Sequence, residues 1–271
     1  MSPTLDQVTQ DSQFVLMKGE PGTRKSTCAL SYPTPQYWFS HDKKMDALIL
    51  PMRNWGINPK LITFDDYSDW DKSLKKLKEF ELNCEYKTII VDSITSTGDS
   101  INRQTLKSKT GTTTKGGGEA GDTVGGIAVN TMRDYKAEAA AFNELVARLK
   151  DISSFHKVNV ILIAHVIGQR KPEDAVASTH FSRIIVTGGQ IISAKIPAYC
   201  SEVYHFNIEQ EFDVEKEGKY GLLTVHTGAD FARTSLPLPR KITFGSEPLY
   251  DKYIKPAIEK NKKEAPPLVK F

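Results

Sequence analysis

The run Phe14-Val15-Leu16-Met17-Lys18-Gly19 constrains this chain more than any other. Four apolar residues followed by lysine and glycine read as a buried strand running into a glycine turn. The turn continues as Gly19-Glu20-Pro21-Gly22-Thr23-Arg24-Lys25-Ser26, with Thr27 next. It departs by one residue from G-x-x-x-x-G-K-[ST], a loop whose glycines let backbone N–H groups turn inward and cup phosphate oxygens. In that pattern Lys25 reaches the β- and γ-phosphates of a nucleotide, and Ser26 offers its hydroxyl to Mg²⁺. Gly19, Glu20, Pro21, Gly22, Thr23, Arg24, Lys25, Ser26 and Thr27 are the candidate nucleotide-binding residues. Arg24 stands where the pattern has glycine. A side chain there resists the backbone geometry that glycine takes freely, or else adds positive charge near the phosphates.

Downstream, strand-like and helix-like segments alternate. Tyr37-Trp38-Phe39 and Leu61-Ile62-Thr63-Phe64 are strand candidates, with an irregular stretch at Asp42–Asn58 between them. Trp70, Leu74, Leu77 and Phe80 line one face of an expected helix over Asp69–Glu81. Thr88-Ile89-Ile90-Val91-Asp92 and Val158–His165 are continuous apolar runs, the mark of strands buried on both faces of a parallel sheet. Between them, Tyr135, Ala139, Phe142, Leu145, Leu149 and Ile152 form a helical stripe. Glu202–Phe206 and Leu222–His226 are expected to pair as an antiparallel hairpin at the sheet edge. Alternation of this kind predicts an α/β fold: a mainly parallel, twisted sheet with helices on both faces.

Two stretches read as mobile loops: residues 103–130, rich in Gly, Thr, Ser and Lys, and the polar connection 166–195. The expected domain therefore spans 1–250 and carries these loops. A basic tail follows at 251–271, with six lysines against two glutamates.

In a parallel sheet, ligands sit beyond the carboxyl ends of the strands. Gly19, Asp42, Asp92 and His165 all close strand-like runs. Asp92 is the candidate Mg²⁺-holding carboxylate together with Ser26, and Ser93 is placed to assist it by hydrogen bonding. His165 is a candidate γ-phosphate sensor or water-orienting group, against the alternative of a structural histidine. Asp42 is the best-placed acid to activate water. The candidate catalytic set is Lys25, Asp92, His165 and Asp42.

Other chemistries find no footing. Cys28, Cys84 and Cys200 are scattered and make no C-x-x-C pair, which supports neither a zinc site nor a disulfide framework. There is no G-x-S-x-G and no apolar run of membrane-spanning length. The N-terminus lacks the basic-then-apolar pattern of a signal peptide, so a soluble, cytoplasmic protein is expected. A net charge of +3 is too mild to indicate nucleic acid by itself.

The pieces FVLMKGEPGTRKST, KTIIVDSITS, DYKAEAAAFNELVARLKDI with VNVILIAHV, and SEVYHF together resemble the RecA-like P-loop nucleotide-binding proteins of phages. That AAA-type ATPase family includes the phage single-strand annealing recombinases. The matching pieces span about Phe14 to Phe206. The first two are common to all P-loop ATPases, and the helix leading to VNVILIAHV is the more family-like part. The resemblance implies a RecA-like P-loop NTPase fold, ATP with Mg²⁺, homo-oligomers with ATP between subunits, and two loops facing single-stranded DNA. It implies a host cytoplasm for a phage-encoded protein, and replication or recombination proteins as partners.

Carried over by position, the DNA-facing loops are 103–130 and 166–195. The first holds Arg103, Lys107, Lys109 and Lys115 with no acid as far as residue 118, which suits phosphate neutralisation but offers no aromatic for base stacking. The second offers Arg170, Lys171, His180, Phe181, Arg183 and Lys195. Arg183 or Lys195 is equally a candidate trans finger to a neighbour's γ-phosphate. The reading is an ATPase acting with single-stranded DNA. Its alternatives are an ATP-driven protein-remodelling, loader or assembly subunit without direct DNA binding, and a slow nucleotide-dependent switch in which Arg24 limits hydrolysis.

Overall fold

The computed structural model describes residues 12–65, 70–110, 123–124, 127–128, 132–169, 181–184, 190–209, 218–227 and 230–264. The chain opens with β1 (Phe14–Gly19), α1 (Lys25–Leu30), β2 (Gln36–Ser40), α2 (Ile49–Asn54) and β3 (Ile62–Asp65). Next come α3 (Trp70–Leu82), β4 (Thr88–Asp92), α4 (Ile94–Thr110) and the two-residue pair β5 (Thr123–Val124) and β6 (Ile127–Ala128). The second half holds α5 (Met132–His156), β7 (Asn159–Gln169), β8 (Phe181–Ile184), α6 (Gln190–Tyr199), β9 (Glu202–Ile208), β10 (Tyr220–Leu223) and β11 (Lys241–Phe244). A π-helical turn at Tyr250–Ile254 leads into α7 (Lys255–Glu264).

The main sheet runs β11-β10-β9-β1-β7-β4-β2-β3, and β8 pairs with the far end of β7. The six strands from β9 to β3 are mutually parallel, while β10 and β11 pair antiparallel at one edge. β1 and β7 lie centrally because Phe14–Met17 and Val160–Ala164 are continuous apolar runs buried on both faces. Alternate residues feed two cores. Leu16, Ile89, Val91, Val160 and Leu162 face α3, α4 and α5. Val15, Met17, Ile90, Ile161 and Ile163 face α1 and the C-terminal segment. On α3, Trp70, Leu77 and Phe80 are buried as the periodicity requires, and Leu74 packs against them half-buried.

Several expectations needed revision. α4 extends to Thr110, so residues 103–110 are helical rather than loop. Ile94 and Ile101 anchor that helix in the core, and once nucleated it propagates through Arg, Gln, Leu and Lys at little cost. The connection 166–195 is also partly ordered: β7 continues to Gln169, β8 pairs back on it, and α6 begins at Gln190. Ile196 and Cys200 bury α6 against the sheet, and Pro197 inside the helix is what hides its signal in the sequence. Residues 111–122, 125–126, 129–131, 170–180 and 185–189 of those two stretches lie outside the described residues.

The hairpin forms as β9 against β10, but the outer strand is β11, whose alternating KITF is short enough to escape a periodicity reading. Nor is the domain complete at 250, because Ile254 and Ala257 are buried in the second core. The stretch 42–58 carries a 3₁₀ turn at Met45–Leu48 and α2 rather than irregular chain.

Candidate functional site

The site grows from strand order. Gly19 at the end of β1 is in register with His165 on β7 and with Phe206 on β9. Asp92 at the end of β4 is in register with Ser40 on β2 and Ile163 on β7. Four parallel strands thus bring Gly19, His165, Asp92 and the chain leaving β2 to one edge.

At Gly19 a Cβ would meet the Phe206 carbonyl oxygen at 2.4 Å, so only glycine lets β1 turn out so close to β9. The loop turns again at Gly22, φ +80°. Thr23 donates to the Glu20 carbonyl at 2.8 Å and ties the loop across itself. Arg24 then adopts φ 63° and ψ 25°, the left-handed region its pattern reserves for glycine. Its guanidinium donates to the Gly245 carbonyl at 2.7 Å and lies 4.6 Å over the Tyr220 ring. Arg24 is thus committed to the β10–β11 edge, which is how the chain holds a non-glycine residue in that conformation.

Lys25 curls over the loop. Its ammonium donates to the Gly19 carbonyl at 2.9 Å, the Glu20 carbonyl at 2.7 Å and Thr23 Oγ1 at 3.2 Å. Burial lowers its pKa to about 8, against the pull of Asp92, Asp42 and Glu20. Asp92 moves the other way. Burial raises it to about 6, aided by the neighbouring Asp42 charge and opposed by a hydrogen bond from Ser26. The carboxylate is short of countercharge, and a dication between Ser26 and Asp92 is the group that would supply it. The residues therefore fit Mg²⁺. Among the described residues there is no cluster of three His, Cys, Asp or Glu side chains that would hold a metal without the nucleotide's own oxygens.

Asp42 follows β2 and is positioned by α4 and β7. The Ser93 hydroxyl donates to its carboxylate at 2.9 Å, the Ser96 hydroxyl donates to the same oxygen, and His165 Nε2 stands 3.4 Å from the other. Burial alone would raise this carboxyl. The contacts with His165, Ser96 and Ser93 outweigh burial and hold it well below the usual carboxylate range. Its backbone is pinned as well: the His41 and Asp42 N–H groups both donate to the Asp92 carbonyl, at 2.7 and 3.1 Å. The His165 N–H donates to Thr95 Oγ1 at 3.2 Å. Two acids that act electrostatically on one lysine thus differ sharply. Asp42 is firmly ionised, while Asp92 titrates near neutrality until a cation arrives.

Together these groups line a pocket of about 260 Å³, bounded by Pro21 through Thr27, Asp42, Lys44, Asp92 and His165. Every member of the catalytic set proposed from sequence is there, with Gly19 and Glu20 just behind. Lys44 and Ser96 were not anticipated. Ser96 had a signal, since it falls one helical turn after Ser93. Lys44 had none, because its position depends on how the chain leaves β2.

The basic candidates divide. Arg103 is exposed on α4 and lines an adjoining pocket, while Lys195 is exposed on α6 and lines neither. Lys107 and Lys109 lie on α4, and Arg183 lies on β8. Lys115, Arg170 and Lys171 fall outside the described residues, as does His180; Phe181 begins β8. No described helix is long and apolar enough to cross a membrane.

A family model described as an AAA domain matches residues 12–236. No curated protein sequence matches the chain. Among solved structures, the crystal structure of the RadB recombinase is similar, with a TM-score of 0.44 and 12% identity, over 86% of this chain and 86% of that one. The flagellar accessory protein FlaH from Methanocaldococcus jannaschii is also similar, with a TM-score of 0.44 and 15% identity, over 87% of this chain and 85% of that one. With its phosphate loop after the central β1, its parallel centre and its antiparallel edge, the fold is RecA-like.

Proposed function

Because the chain belongs to the AAA domain family, we propose that it is a Mg²⁺-dependent ATPase acting with single-stranded DNA. The observation that carries this is the convergence of Lys25, Ser26, Asp92, Asp42 and His165 on one pocket at the phosphate loop. In this reading the loop's N–H groups and Lys25 take the β- and γ-phosphates. Ser26 and Asp92 hold Mg²⁺, which supplies charge neutralisation to the transferring phosphoryl group. Asp42 is ionised and acceptor-only, so it accepts a hydrogen bond from the attacking water and orients it. His165 steadies Asp42 and senses the γ-phosphate. Assembly into homo-oligomers, the DNA partner and a place in phage recombination, annealing or replication rest on the sequence resemblance.

The left-handed Arg24, tied to Tyr220 and Gly245, supports a second reading of the same site as a slow nucleotide-dependent switch. Steady-state ATPase activity with and without single-stranded DNA separates the two. For the wild type, DNA-stimulated turnover is expected. Tight ATP binding without measurable turnover would favour the switch. Lys25→Ala removes the charge that holds the phosphates, and turnover should fall by about a hundredfold or more. Unchanged turnover in that variant would overturn the assignment of the loop.

A further inference from the structure

Next to the nucleotide pocket lies a second one, of about 320 Å³, and the two share Asp42, Lys44 and His165. Its outer wall is Lys43, Lys44, Asp99 and Arg103, and its floor is His41, Ser96 and Ser100. From this we infer a second phosphate-binding site, abutting the position of the nucleotide's γ-phosphate, that takes a backbone phosphate of single-stranded nucleic acid. The inference rests on the ATPase reading above and names where its DNA partner acts.

The chemistry of the walls supports an oxyanion. Lys43, Lys44 and Arg103 are exposed, and among the described residues none of them forms an ion pair. Three mutually repelling cations around one small concavity raise the local potential, and an anion relieves it. Ser96, Ser100 and Arg103 sit at positions i, i+4 and i+7 of α4, so hydroxyls and guanidinium share one face of that helix. Of the acids present, Asp42 is already occupied by Ser93, Ser96 and His165. Asp99 remains as the opposing charge at the rim. Lys43 itself is held at φ 55°, in the left-handed region, where the chain leaves β2, and both it and Lys44 line the pocket.

Nucleic acid is favoured over free phosphate by what continues from this wall. Beyond Arg103 the same helix carries Lys107 and Lys109, so the positive charge of α4 continues past the pocket, which suits a polyanion more than a single phosphate. Because Asp42 and His165 face both pockets, an anion in the second one acts directly on the groups assigned to the attacking water. Lys44 lies between the two anions and offsets their repulsion. DNA stimulation of turnover then needs no long-range transmission.

The test is binding of a fluorescent oligo(dT) to the nucleotide-loaded, full-length protein across a salt series, in wild type, Arg103→Ala and Asp99→Asn. Thermal melts confirm folding of each variant. Each phosphate neutralised contributes about 0.7 to the single-strand salt slope. Arg103→Ala is expected to reduce the slope by about that amount and to weaken binding about fivefold. Asp99→Asn removes the opposing charge and is expected to tighten binding by a few-fold.

Calorimetric titration of inorganic phosphate forms a second arm. Phosphate binding that is lost in Arg103→Ala, with oligonucleotide binding unaffected, would assign the site to free phosphate and overturn the nucleic-acid inference. Equal slopes and affinities in all three proteins, with nucleotide binding intact, would also overturn it. Loss of nucleotide binding already in the wild type would sink the ATPase reading instead, and this inference with it.

Discussion

Arg24 shows how one residue can contradict a motif and still be accommodated. The left-handed conformation costs a non-glycine residue about 1–2 kcal/mol. The hydrogen bond to Gly245 contributes about 1 kcal/mol, and the stack on Tyr220 about 0.5–1 kcal/mol, in the opposite direction. Arg24→Gly should therefore leave stability nearly unchanged, since it removes strain and tether together. Arg24→Ala keeps the strain and loses the tether, and should cost about 1–2 kcal/mol by chemical denaturation. Equal losses in the two variants would mean the backbone strain is not felt.

The two shifted groups beside Arg24 make a protonation prediction. Burial raises Asp92 to about 6, so between its ordinary value and about 6 the folded protein binds a proton that the unfolded chain does not. Stability from this group is present at low pH and is lost as pH rises through about 6. Mg²⁺ needs the ionised form. Mg²⁺-dependent nucleotide affinity should accordingly fall below about pH 6, and Asp92→Asn should raise the melting temperature of the nucleotide-free protein at pH 7.5 while abolishing the metal dependence. Lys25, lowered to about 8, is partly neutral near that pH and regains its proton beside phosphates. Calorimetry in buffers of different ionisation enthalpy should show proton uptake on ATP binding at pH 8. Its absence in the wild type would place the phosphates away from Lys25.

At the scale of elements, the exit of β1 is set by how closely it lies against β9. A methyl group at Gly19 would strike the Phe206 carbonyl oxygen, which belongs to backbone and cannot swing aside. At Gly22 a methyl group would meet nothing within 4 Å, and only the φ of +80° resists it. Gly19→Ala should thus destabilise the fold by about 2–3 kcal/mol and impair nucleotide binding. Gly22→Ala should cost about 1 kcal/mol, the left-handed penalty alone. A reversed order, measured by urea denaturation, would show that β9 yields more easily than its pairing with β1 implies.

For the molecule as a whole, the sheet separates two cores, and the second is closed by the C-terminal segment. Ile254 is fully buried there, Ala257 nearly so, and the Tyr250 ring lies 4.5 Å from that of Tyr32. The Ser31 hydroxyl also accepts the Tyr250 N–H at 3.0 Å, joining this segment to the end of α1 and so to the phosphate loop. Ending the chain at residue 250 should cost about 3 kcal/mol or more through the lost isoleucine and its neighbours. A 1–250 protein as stable as the full chain would restore the shorter domain read from the sequence.

β1, β2, β4 and β7 were legible because strands buried on both faces have no alternative to continuous apolar residues. α3 and α5 were legible because each buries one helical stripe. β11 and the later turns of α4 were not, since an edge strand of four residues and a helix whose last turns are polar carry little periodic signal. Local residues settled the phosphate loop, the acids and histidine closing the strands, and the alternation that requires a parallel sheet. They did not settle which strand lies beside which, because parallel pairing joins segments far apart in the chain and depends on every other strand's choice of neighbour. That order sets His165 against Asp42 and both against the loop, and it turns Arg24 toward Tyr220. The phosphate loop is thus a property of eight consecutive residues, whereas the pocket in front of it exists only once β2, β4, β7 and β1 lie side by side.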